Sequence, residues 1–377
     1  MQTSGLRTLF VTNDFGPRAG GIETFVHGLV ERFPKGTVVV YTSSQGDTAV
    51  YDKQWLTDFG VKVIRDKSKM LLPSPRVIRA VRKVIAIEKP STVVFGAAAP
   101  LAVMGKFLNV PRKIAITHGH EVWWAKVPPF NLGMRLIGDS VDHLTYLGSY
   151  TKSQISKALS KKAKAAMVQI APGIDTNKFQ PVDASALRAE LGLIEKEVIV
   201  SVGRLVPRKG QDQLVKAMPE ILKSHPNAHL LLVGTGSYRR VLENLIADRS
   251  LQKEVTFTGR VQYEELTKYI CVGDIFAMPS RSRMAGLEVE GLGIVYLEAS
   301  SCGLPVLGGD SGGAPDAVLP GVTGLVVNGR DASQVAKGVI ELLESDRKAI
   351  GQAGRKWALD TWNWDIWASK FMKLCGY

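Results

Sequence analysis

The feature that most constrains the fold is a long alternation of short apolar runs, rich in β-branched residues, with amphipathic stretches of helical periodicity. Continuous apolar runs of this kind are typical of parallel strands, because helices cover both faces of a parallel sheet. The first series of predicted strands is Leu6–Thr12, Thr37–Thr42, Val61–Ile64, Thr92–Phe95, Lys113–Thr117, His143–Leu147 and Met167–Ala171. The predicted helices among them are Gly21–Phe33, Pro75–Glu88, Pro100–Leu108 and Ser149–Ser160.

A second series of strands follows after a break: Glu197–Val202, Ala228–Val233, Val255–Thr258, Ile275–Met278, Pro305–Gly308 and Gly324–Val327. A chain of 377 residues exceeds the size at which a single hydrophobic core stops growing. The two series therefore predict two Rossmann-like α/β domains, residues 1–172 and 196–355. Residues 173–195 contain no strand pattern and are predicted to link them.

The charge is divided unevenly between the two predicted domains. Up to Asp175 the chain holds 24 Lys and Arg against 12 Asp and Glu, whereas the remainder holds 24 against 23. The net charge of +13 therefore belongs almost wholly to the first half, which indicates a polyanionic partner, either nucleic acid or an anionic membrane surface. Three widely spaced cysteines, no secretory signal and no apolar run of about 18 residues predict a cytoplasmic location.

Gly20 and Gly21 follow the first predicted strand and open the first predicted helix. Glycines at such a turn let backbone N–H groups come close to a phosphate at the positive end of a helix. Strand-to-helix turns also use glycine for packing alone, so both interpretations stay open at this motif.

A basic cluster follows the first strand of the second domain. Arg204, Arg208 and Lys209 lie at its carboxyl end, where doubly wound sheets bind their ligands. Fixed cations at this place can hold a diphosphate and stabilise the charge that develops on it as a leaving group. The alternative is an ordinary solvated basic loop.

The most informative local motif is the segment RSRMAGLEVEGLGIVYLEASSCG, residues 281–303. Seven residues separate Glu290 from Glu298, and a helix starting near Gly293 places Glu298 on its second turn. Glu290 is predicted to bind hydroxyls and Glu298 a ribose diol, because the apolar neighbours of Glu298 indicate burial, and a buried carboxylate needs a partner. An anion is predicted to bind the free N–H groups at the start of this helix, formed by Gly291, Leu292, Gly293 and Ile294.

His118 follows a buried strand of the first domain, in the sequence THGHE. The spacing of its histidines and glutamate differs from that of helical zinc motifs, and the chain contains no DxD sequence for a nucleotide-bound divalent ion. No metal site is therefore predicted. His118 is predicted to contact substrate in a cleft, with a purely structural histidine as the alternative.

Residues 62–89 hold most of the basic side chains that could meet an anionic surface. In the predicted helix from Pro75, the apolar residues share one face, and Arg76, Arg79, Arg82 and Lys83 flank it. We expect the apolar face to cover the sheet and the basic rim to touch lipid head groups. Met70, Leu71 and Leu72 are predicted to be exposed and to dip further into the lipid. Nucleic acid is disfavoured, because no aromatic-rich basic strand accompanies the charge.

Together these stretches resemble the retaining GT-B glycosyltransferases of family four. The resemblance rests on VTNDFGPRAGGIETF, FGAAAPLAVM, THGHEV, GRLVPRKGQD, FAMPSRSR and LEVEGLGIVYLEASSCGLPVLGGDSGGAPD. It implies the GT-B fold, with two Rossmann-like domains facing a cleft and a C-terminal helix, residues 356–377, that crosses back to the first domain. Within the family the stretches are most similar to GDP-mannose-dependent mannosyltransferases that act on phosphatidylinositol mannosides.

The resemblance also implies roles for individual residues. Arg204 and Lys209 match the residues that bind the donor diphosphate, while Glu290 matches the carboxylate at the donor sugar and Glu298 the one at the ribose. His118 matches a histidine near donor sugar and acceptor. Gly259, Arg260 and Val261 match the segment that lines the base, and Gly20 and Gly21 match a mobile loop beside the acceptor.

The activity that the resemblance implies is transfer of mannose from GDP-mannose to a lipid acceptor, adding a second mannose in α-1,6 linkage with retention of configuration and without a metal. The protein would then associate peripherally with the inner face of the cell membrane. Three departures border the loop and the sugar pocket: Gly16 stands where relatives have proline, Glu288 where they have aspartate, and Met284-Ala285 where they have glycines.

Other function classes remain compatible with the sequence. A GT-B epimerase or phosphorylase would share the architecture, and a family member that uses another nucleotide sugar or another acceptor would share the mechanism. A nucleic-acid-binding function rests on charge alone.

Overall fold

The structure is a computed structural model that describes residues 5–18 and 20–377. Residues 1–4, which belong to the segment examined for a secretory signal, lie outside the described residues. The chain divides into two compact units, Met1–Gly173 with Trp364–Tyr377, and Ile174–Asn363.

The described part of the first unit contains a seven-stranded parallel sheet. Its strands are β1 (Thr8–Thr12), β2 (Val38–Thr42), β3 (Lys62–Arg65), β4 (Thr92–Phe95), β5 (Arg112–Ala115), β6 (His143–Tyr146) and β7 (Met167–Gln169). They lie in the order β3-β2-β1-β4-β5-β6-β7. The central strands β1, β2 and β4 are buried along their whole length, as expected for a sheet covered on both faces.

The helices around this sheet differ in how clearly the sequence predicts them. They are α1 (Gly21–Val30), α2 (Ala49–Phe59), α3 (Pro75–Glu88), α4 (Glu121–Lys126), α5 (Phe130–Ser140), α6 (Ser149–Ile155) and α7 (Lys161–Ala165). The bounds of α3 agree with the prediction, since Ser74 caps its first turn and Pro75 begins it. The predicted helix at 100–108 is instead a 3₁₀ segment, Leu101–Phe107. The periodicity missed α2, α4, α5 and α7. The inner face of α2 buries Trp55 and little else.

The second unit contains a six-stranded parallel sheet in its described residues. Its strands are β8 (Glu197–Val202), β9 (Ala228–Val233), β10 (Val255–Gly259), β11 (Ile275–Met278), β12 (Val306–Gly309) and β13 (Gly324–Val327), in the order β10-β9-β8-β11-β12-β13. Its helices are α8 (Ser185–Glu190), α9 (Gln211–Ser224), α10 (Arg239–Ala247), α11 (Leu266–Cys271), α12 (Ile294–Ser301), α13 (Ala332–Glu344) and α14 (Arg347–Thr361).

The predicted first and last residues of the second domain, 196 and 355, differ from those of the observed second unit, Ile174–Asn363. Most of the predicted linker, 173–195, belongs to the second unit, which begins at Ile174 and includes α8. The predicted terminal helix at 356–377 is broken near Trp362, so only the last helix, α15 (Trp364–Cys375), belongs to the first unit. Phe371 of α15 is fully buried against Phe10 of β1, and such aromatic burial holds the segment to the first sheet.

Candidate active site

The strand order of the second unit reverses between β8 and β11. In open parallel sheets, ligands bind outside the carboxyl ends of the strands at such a switch point. The loops that follow β8 and β11 interlock there, because a Cβ on Gly210 would lie 1.9 Å from the carbonyl oxygen of Pro279. Gly210 also has a φ of +78°, a conformation that favours glycine. The sequence RKG therefore needs glycine at position 210 to continue into α9.

The two predicted diphosphate ligands, Arg204 and Lys209, have different surroundings at this edge. The guanidinium of Arg204 is exposed, and no side chain among the described residues pairs with it. Lys209 is buried, and its Nζ lies 2.8 Å from Oε2 of Glu290. The structure therefore brings the lysine of the basic cluster to the first glutamate of the E-x7-E motif.

Glu290 is held by two cations. Nη1 of Arg208 donates to Oε2 at 2.6 Å, beside the contact from Lys209. Burial acts to raise the pKa of Glu290, but the charges of Lys209 and Arg208 and their hydrogen bonds outweigh it and hold the pKa below its ordinary value. Glu290 is thus an ionised carboxylate at neutral pH, able to accept hydroxyl hydrogen bonds.

The start of α12 presents free backbone donors beside this carboxylate. Gly293, the residue before α12, has a φ of +78°, and a Cβ on it would lie 2.4 Å from the ring of Tyr296. No acceptor among the described residues engages the N–H groups of Gly291, Leu292, Gly293 and Ile294. These amides and the partial positive charge of the helix end suit an anion, as predicted from the sequence.

Glu298 lies one turn further along α12 and is half-buried. No hydrogen bond among the described residues reaches its carboxylate, and burial raises its pKa to about 7 although Lys178 and Lys209 oppose the shift. Lys178 is a residue that the sequence analysis missed. Its Nζ lies 3.2 Å from the ring centroid of Tyr263, and burial lowers its pKa.

The raised pKa of Glu298 has a measurable consequence for the stability of the protein. Because the folded state disfavours ionised Glu298, its contribution to stability falls as pH rises from the ordinary carboxyl range through about 7. We expect Glu298→Gln to raise the Tm of the ligand-free protein above pH 7, with the gap closing below pH 4. Thermal unfolding across pH checks this, with the exposed Glu341→Gln as control; a pH-independent gap contradicts it.

The predicted base-lining segment is next to the basic cluster. Gly259 ends β10, and its carbonyl accepts from the N–H of Gly234 at 2.9 Å. Gly234 in turn lies so close to Gly203 that a Cβ would be 2.1 Å from the Gly203 carbonyl oxygen. The loops after β8, β9 and β10 therefore meet at one edge, with Arg260 exposed and Val261 half-buried.

His118 occupies the corresponding edge of the first unit, after β5. Its Nε2 lies 2.5 Å from the carbonyl oxygen of Gly96, and its backbone N–H donates to Glu121. A carbonyl only accepts, so Nε2 carries the proton and Nδ1 is left as an acceptor. Burial lowers the pKa of His118, which favours this neutral form.

Gly20 and Gly21 lie at the start of α1, on the same edge. A Cβ on Gly20 would come 2.3 Å from Oε2 of Glu23, whereas one on Gly21 would meet open space. At Gly20 an added Cβ would displace only the end of the Glu23 side chain, and Gly21 leaves room for a ligand to approach the backbone closely. The glycine at position 16 is explained by Tyr51, whose hydroxyl would lie 2.1 Å from an added Cβ.

A cavity of about 270 Å³ opens at this edge among the loops that follow β1, β2, β3, β4 and β5. Both acidic and basic side chains line it, together with amides. Its polar lining includes Asn13, Asp14, Arg18, Gln45, Lys69 and His120.

The rim of α3 confirms the predicted amphipathic arrangement. Val77, Val81 and Val84 are buried against the sheet, while the four predicted basic side chains are exposed. Two of those four are already engaged: Arg76 pairs with Asp66 at 2.8 Å, and Arg82 donates to the carbonyl oxygen of Phe107. The prediction for Leu71 is wrong. It is fully buried because both its backbone groups bond to the amide of Asn13.

Within the described residues, no group of three or more His, Cys, Asp or Glu side chains is arranged to hold a metal ion. In the same part of the chain, no helix has both the length and the apolar character needed to cross a bilayer.

Comparison with known proteins decides the family. Residues 183–357 match the family model described as glycosyl transferases group 1. Over 374 residues the chain is 41% identical to the GDP-mannose-dependent alpha-(1-6)-phosphatidylinositol monomannoside mannosyltransferase of Mycolicibacterium smegmatis, covering 97% of each chain. The chain belongs to the group 1 glycosyltransferases.

A second relative of this glycosyltransferase is the GDP-mannose-dependent monoacylated alpha-(1-6)-phosphatidylinositol monomannoside mannosyltransferase of Corynebacterium glutamicum. It is 40% identical over 98% of this chain and 97% of its own. Among solved structures, Anabaena Alr3699/HepE in complex with UDP has a TM-score of 0.81 at 19% identity, with 98% and 99% of the chains covered. At that identity the likeness shows the fold alone, which is the predicted GT-B type.

Proposed function

We propose that this glycosyltransferase moves mannose from GDP-mannose to a phosphatidylinositol monomannoside, forming an α-1,6 linkage with retention of configuration. The names of its relatives support this donor and this acceptor. The observation that carries the proposal is the pairing of Lys209 with Glu290 beside the free amides at the start of α12.

In the proposed donor complex the second unit binds all parts of GDP-mannose. Arg204, Lys209 and the α12 amides hold the diphosphate, and Glu290 accepts hydrogen bonds from the mannose hydroxyls. Glu298 accepts from the ribose diol, and the edge at 259–261 lines the guanine. Two cations and a helix end at one place make the enzyme independent of a divalent ion in this proposal.

The proposed reaction breaks the bond between the mannose anomeric carbon and the phosphate oxygen. The electron pair goes to the diphosphate, where Arg204, Lys209 and the amides stabilise it. The acceptor hydroxyl bonds to the anomeric carbon on the same face and passes its proton to the departing phosphate oxygen. Glu290 orients the sugar and does not serve as nucleophile, because two cations already occupy one of its oxygens.

The acceptor is proposed to bind the first unit. The cavity lined by Asn13, Gln45 and Lys69 offers amides to inositol or mannose hydroxyls and the ammonium of Lys69 to the lipid phosphate, whereas Arg18 already pairs with Glu23 at 2.8 Å. The free Nδ1 of His118 supplies a neutral acceptor for a sugar hydroxyl. The basic rim of α3 and the exposed Met70 and Leu72 are proposed to rest on the inner face of the membrane.

Reversing the charge of Arg79 and Lys83 tests the membrane contact. Neither side chain pairs with another in the described residues, whereas reversing Arg76 would remove the cation that pairs with buried Asp66. Since each basic residue near an anionic surface contributes about 1 kcal/mol, the loss of two should weaken binding to phosphatidylinositol vesicles roughly 30-fold, and repulsion of the two new carboxylates should weaken binding by Arg79→Glu with Lys83→Glu further. The matched control is Lys337→Glu with Lys348→Glu in the second unit. Equal binding by both double variants contradicts the proposed surface.

The proposed activity is tested with a panel of GDP-, UDP- and ADP-sugars, each offered with mannosylated phosphatidylinositol and with a water-soluble sugar. We expect transfer from GDP-mannose to the lipid, a product with the α anomer, and unchanged rates in EDTA. Transfer from another donor would contradict the proposed use of GDP-mannose. Epimerised sugar without acceptor would contradict transfer as the reaction, and loss of activity in EDTA would contradict independence from a metal.

A further inference from the structure

Arg208 is the residue of the basic cluster to which neither the family resemblance nor the proposed function gives a separate task. It lies in a single 3₁₀ turn, Pro207–Lys209, between the β8 loop and α9. Its carbonyl oxygen accepts from the N–H of Arg281 at 2.8 Å, so its backbone is fixed to the loop after β11. Its guanidinium is mostly buried and reaches two carboxylates, Glu290 at 2.6 Å and Glu288 at 3.9 Å.

The two cations at Glu290 share one oxygen. Arg208 Nη1 and Lys209 Nζ both contact Oε2, at 2.6 and 2.8 Å, and no donor among the described residues reaches Oε1. A carboxylate oxygen accepts about two hydrogen bonds in its plane, so Oε2 is filled. Oε1 is left for a hydroxyl of the bound sugar.

Charge explains why a second cation is needed. If Glu290 were paired with Lys209 alone, the pair would be neutral and the diphosphate would meet little positive charge from this lysine. With Arg208 added, the cluster carries one net positive charge while Glu290 stays ionised. Lys209 has three N–H donors, so it can keep its contact with Oε2 and still donate to a phosphate oxygen.

Other charged or titratable groups around Glu290 do not replace Arg208. Arg283 pairs with Glu288 at 3.0 Å, on the far side of Arg208. Arg281 is engaged by Asp212 at 2.9 Å. The hydroxyl of Tyr296 is engaged by Ser280 and by the carbonyl oxygen of Met278.

We propose that Arg208 is a positioning residue for the donor sugar: it anchors Oε2 of Glu290, so that Oε1 faces a sugar hydroxyl and Lys209 serves the diphosphate. Arg208 itself touches neither sugar nor phosphate. This inference rests on the proposed function for the identity of the donor, but its contact with Glu290 can be measured without any donor.

The first experiment compares the affinities of GDP and GDP-mannose for the wild type, Arg208→Gln and Arg208→Lys by titration calorimetry. A hydrogen bond to a charged group is lost in Arg208→Gln, so the affinity for GDP-mannose should fall about 10- to 100-fold. The affinity for GDP should fall less than that for GDP-mannose, because GDP loses only the positive charge of Arg208 whereas GDP-mannose also loses the oriented Glu290, and Arg208→Lys should recover part of the loss. Equal weakening for GDP and GDP-mannose would overturn the proposal, because Arg208 would then act on the diphosphate alone and not through Glu290 on the sugar.

Turnover gives a second signature of positioning. In Arg208→Gln the pKa of Glu290 should rise, since one of the cations that lowers it is gone. The acidic limb of the kcat profile should therefore move to higher pH, and kcat should fall in addition to the rise in KM that weaker donor binding causes. A lower kcat with an unmoved pH profile indicates a merely structural role and overturns the proposal.

A donor-free measurement separates failure of this inference from failure of the proposed function. Because Arg208 lowers the pKa of Glu290, its stabilising effect is present at neutral pH and lost as pH falls through that pKa. Arg208→Gln should lower the Tm more at pH 7 than at pH 4, and this difference should vanish in a Glu290→Gln background. The exposed Arg249→Gln is the matched control. Equal Tm losses in both backgrounds overturn the proposal, whichever nucleotide sugar the enzyme uses.

Discussion

Lys209→Ala should lower kcat with GDP-mannose about 10²- to 10³-fold, the loss typical when one preorganised donor to a developing negative charge is removed. Lys209 is the buried cation that reaches from Glu290 towards the proposed diphosphate site, and its side chain is about one-tenth exposed. Burial makes its charge less screened by water than that of exposed Arg204. We therefore expect Arg204→Ala to be the milder of the two changes.

The measurement is single-turnover transfer of mannose under donor saturation, which separates chemistry from binding. Lys209→Arg is the conservative comparison, and it should recover only part of the rate because a guanidinium fits a site built for an ammonium poorly. The control is the exposed Lys216→Ala on α9, which should keep normal turnover. Near-normal rates in Lys209→Ala, with an intact fold by circular dichroism, would remove Lys209 from the mechanism.

Much of the fold could be predicted from the sequence because parallel strands leave a strong local signal. The predicted bounds of Thr92–Phe95, Glu197–Val202 and Gly324–Val327 agree with the observed strands. The ends of helices were less predictable. The C-terminal segment illustrates this: α14 and α15 share one tryptophan-rich stretch, and tertiary packing of Trp364 against Gly28 decides where α15 docks.

The site was predictable where residue type and position in the fold agree. Lys209, Glu290 and Gly293 follow strands or open a helix, and the structure brings them to one edge. Arg208 was noted only as part of a basic cluster, since the sequence does not tell which of two adjacent cations turns inward. Lys178 was missed because it comes from the predicted linker, and only the folded chain places it on the Tyr263 ring.

Gly293→Ala should destabilise the protein and weaken GDP binding together, because this residue combines two constraints. A non-glycine residue at a φ of +78° costs about 1 to 2 kcal/mol. An added Cβ would also lie 2.4 Å from the ring of Tyr296, which is fully buried and held by Ser280, so the ring has little room to move. Overpacking of this kind adds about 1 to 3 kcal/mol.

Gly192→Ala is the matched control for the cost of placing alanine at a positive φ, since Gly192 has a φ of +69° and an added Cβ there meets open space. Both variants lie in the second unit, so the excess loss of Tm in Gly293→Ala measures the clash with Tyr296. If the α12 amides hold the diphosphate, displacing Gly293 misdirects them, and GDP affinity should fall in Gly293→Ala but stay unchanged in Gly192→Ala. Unchanged GDP binding in a destabilised Gly293→Ala would mean that this glycine serves packing alone and that the phosphates bind elsewhere.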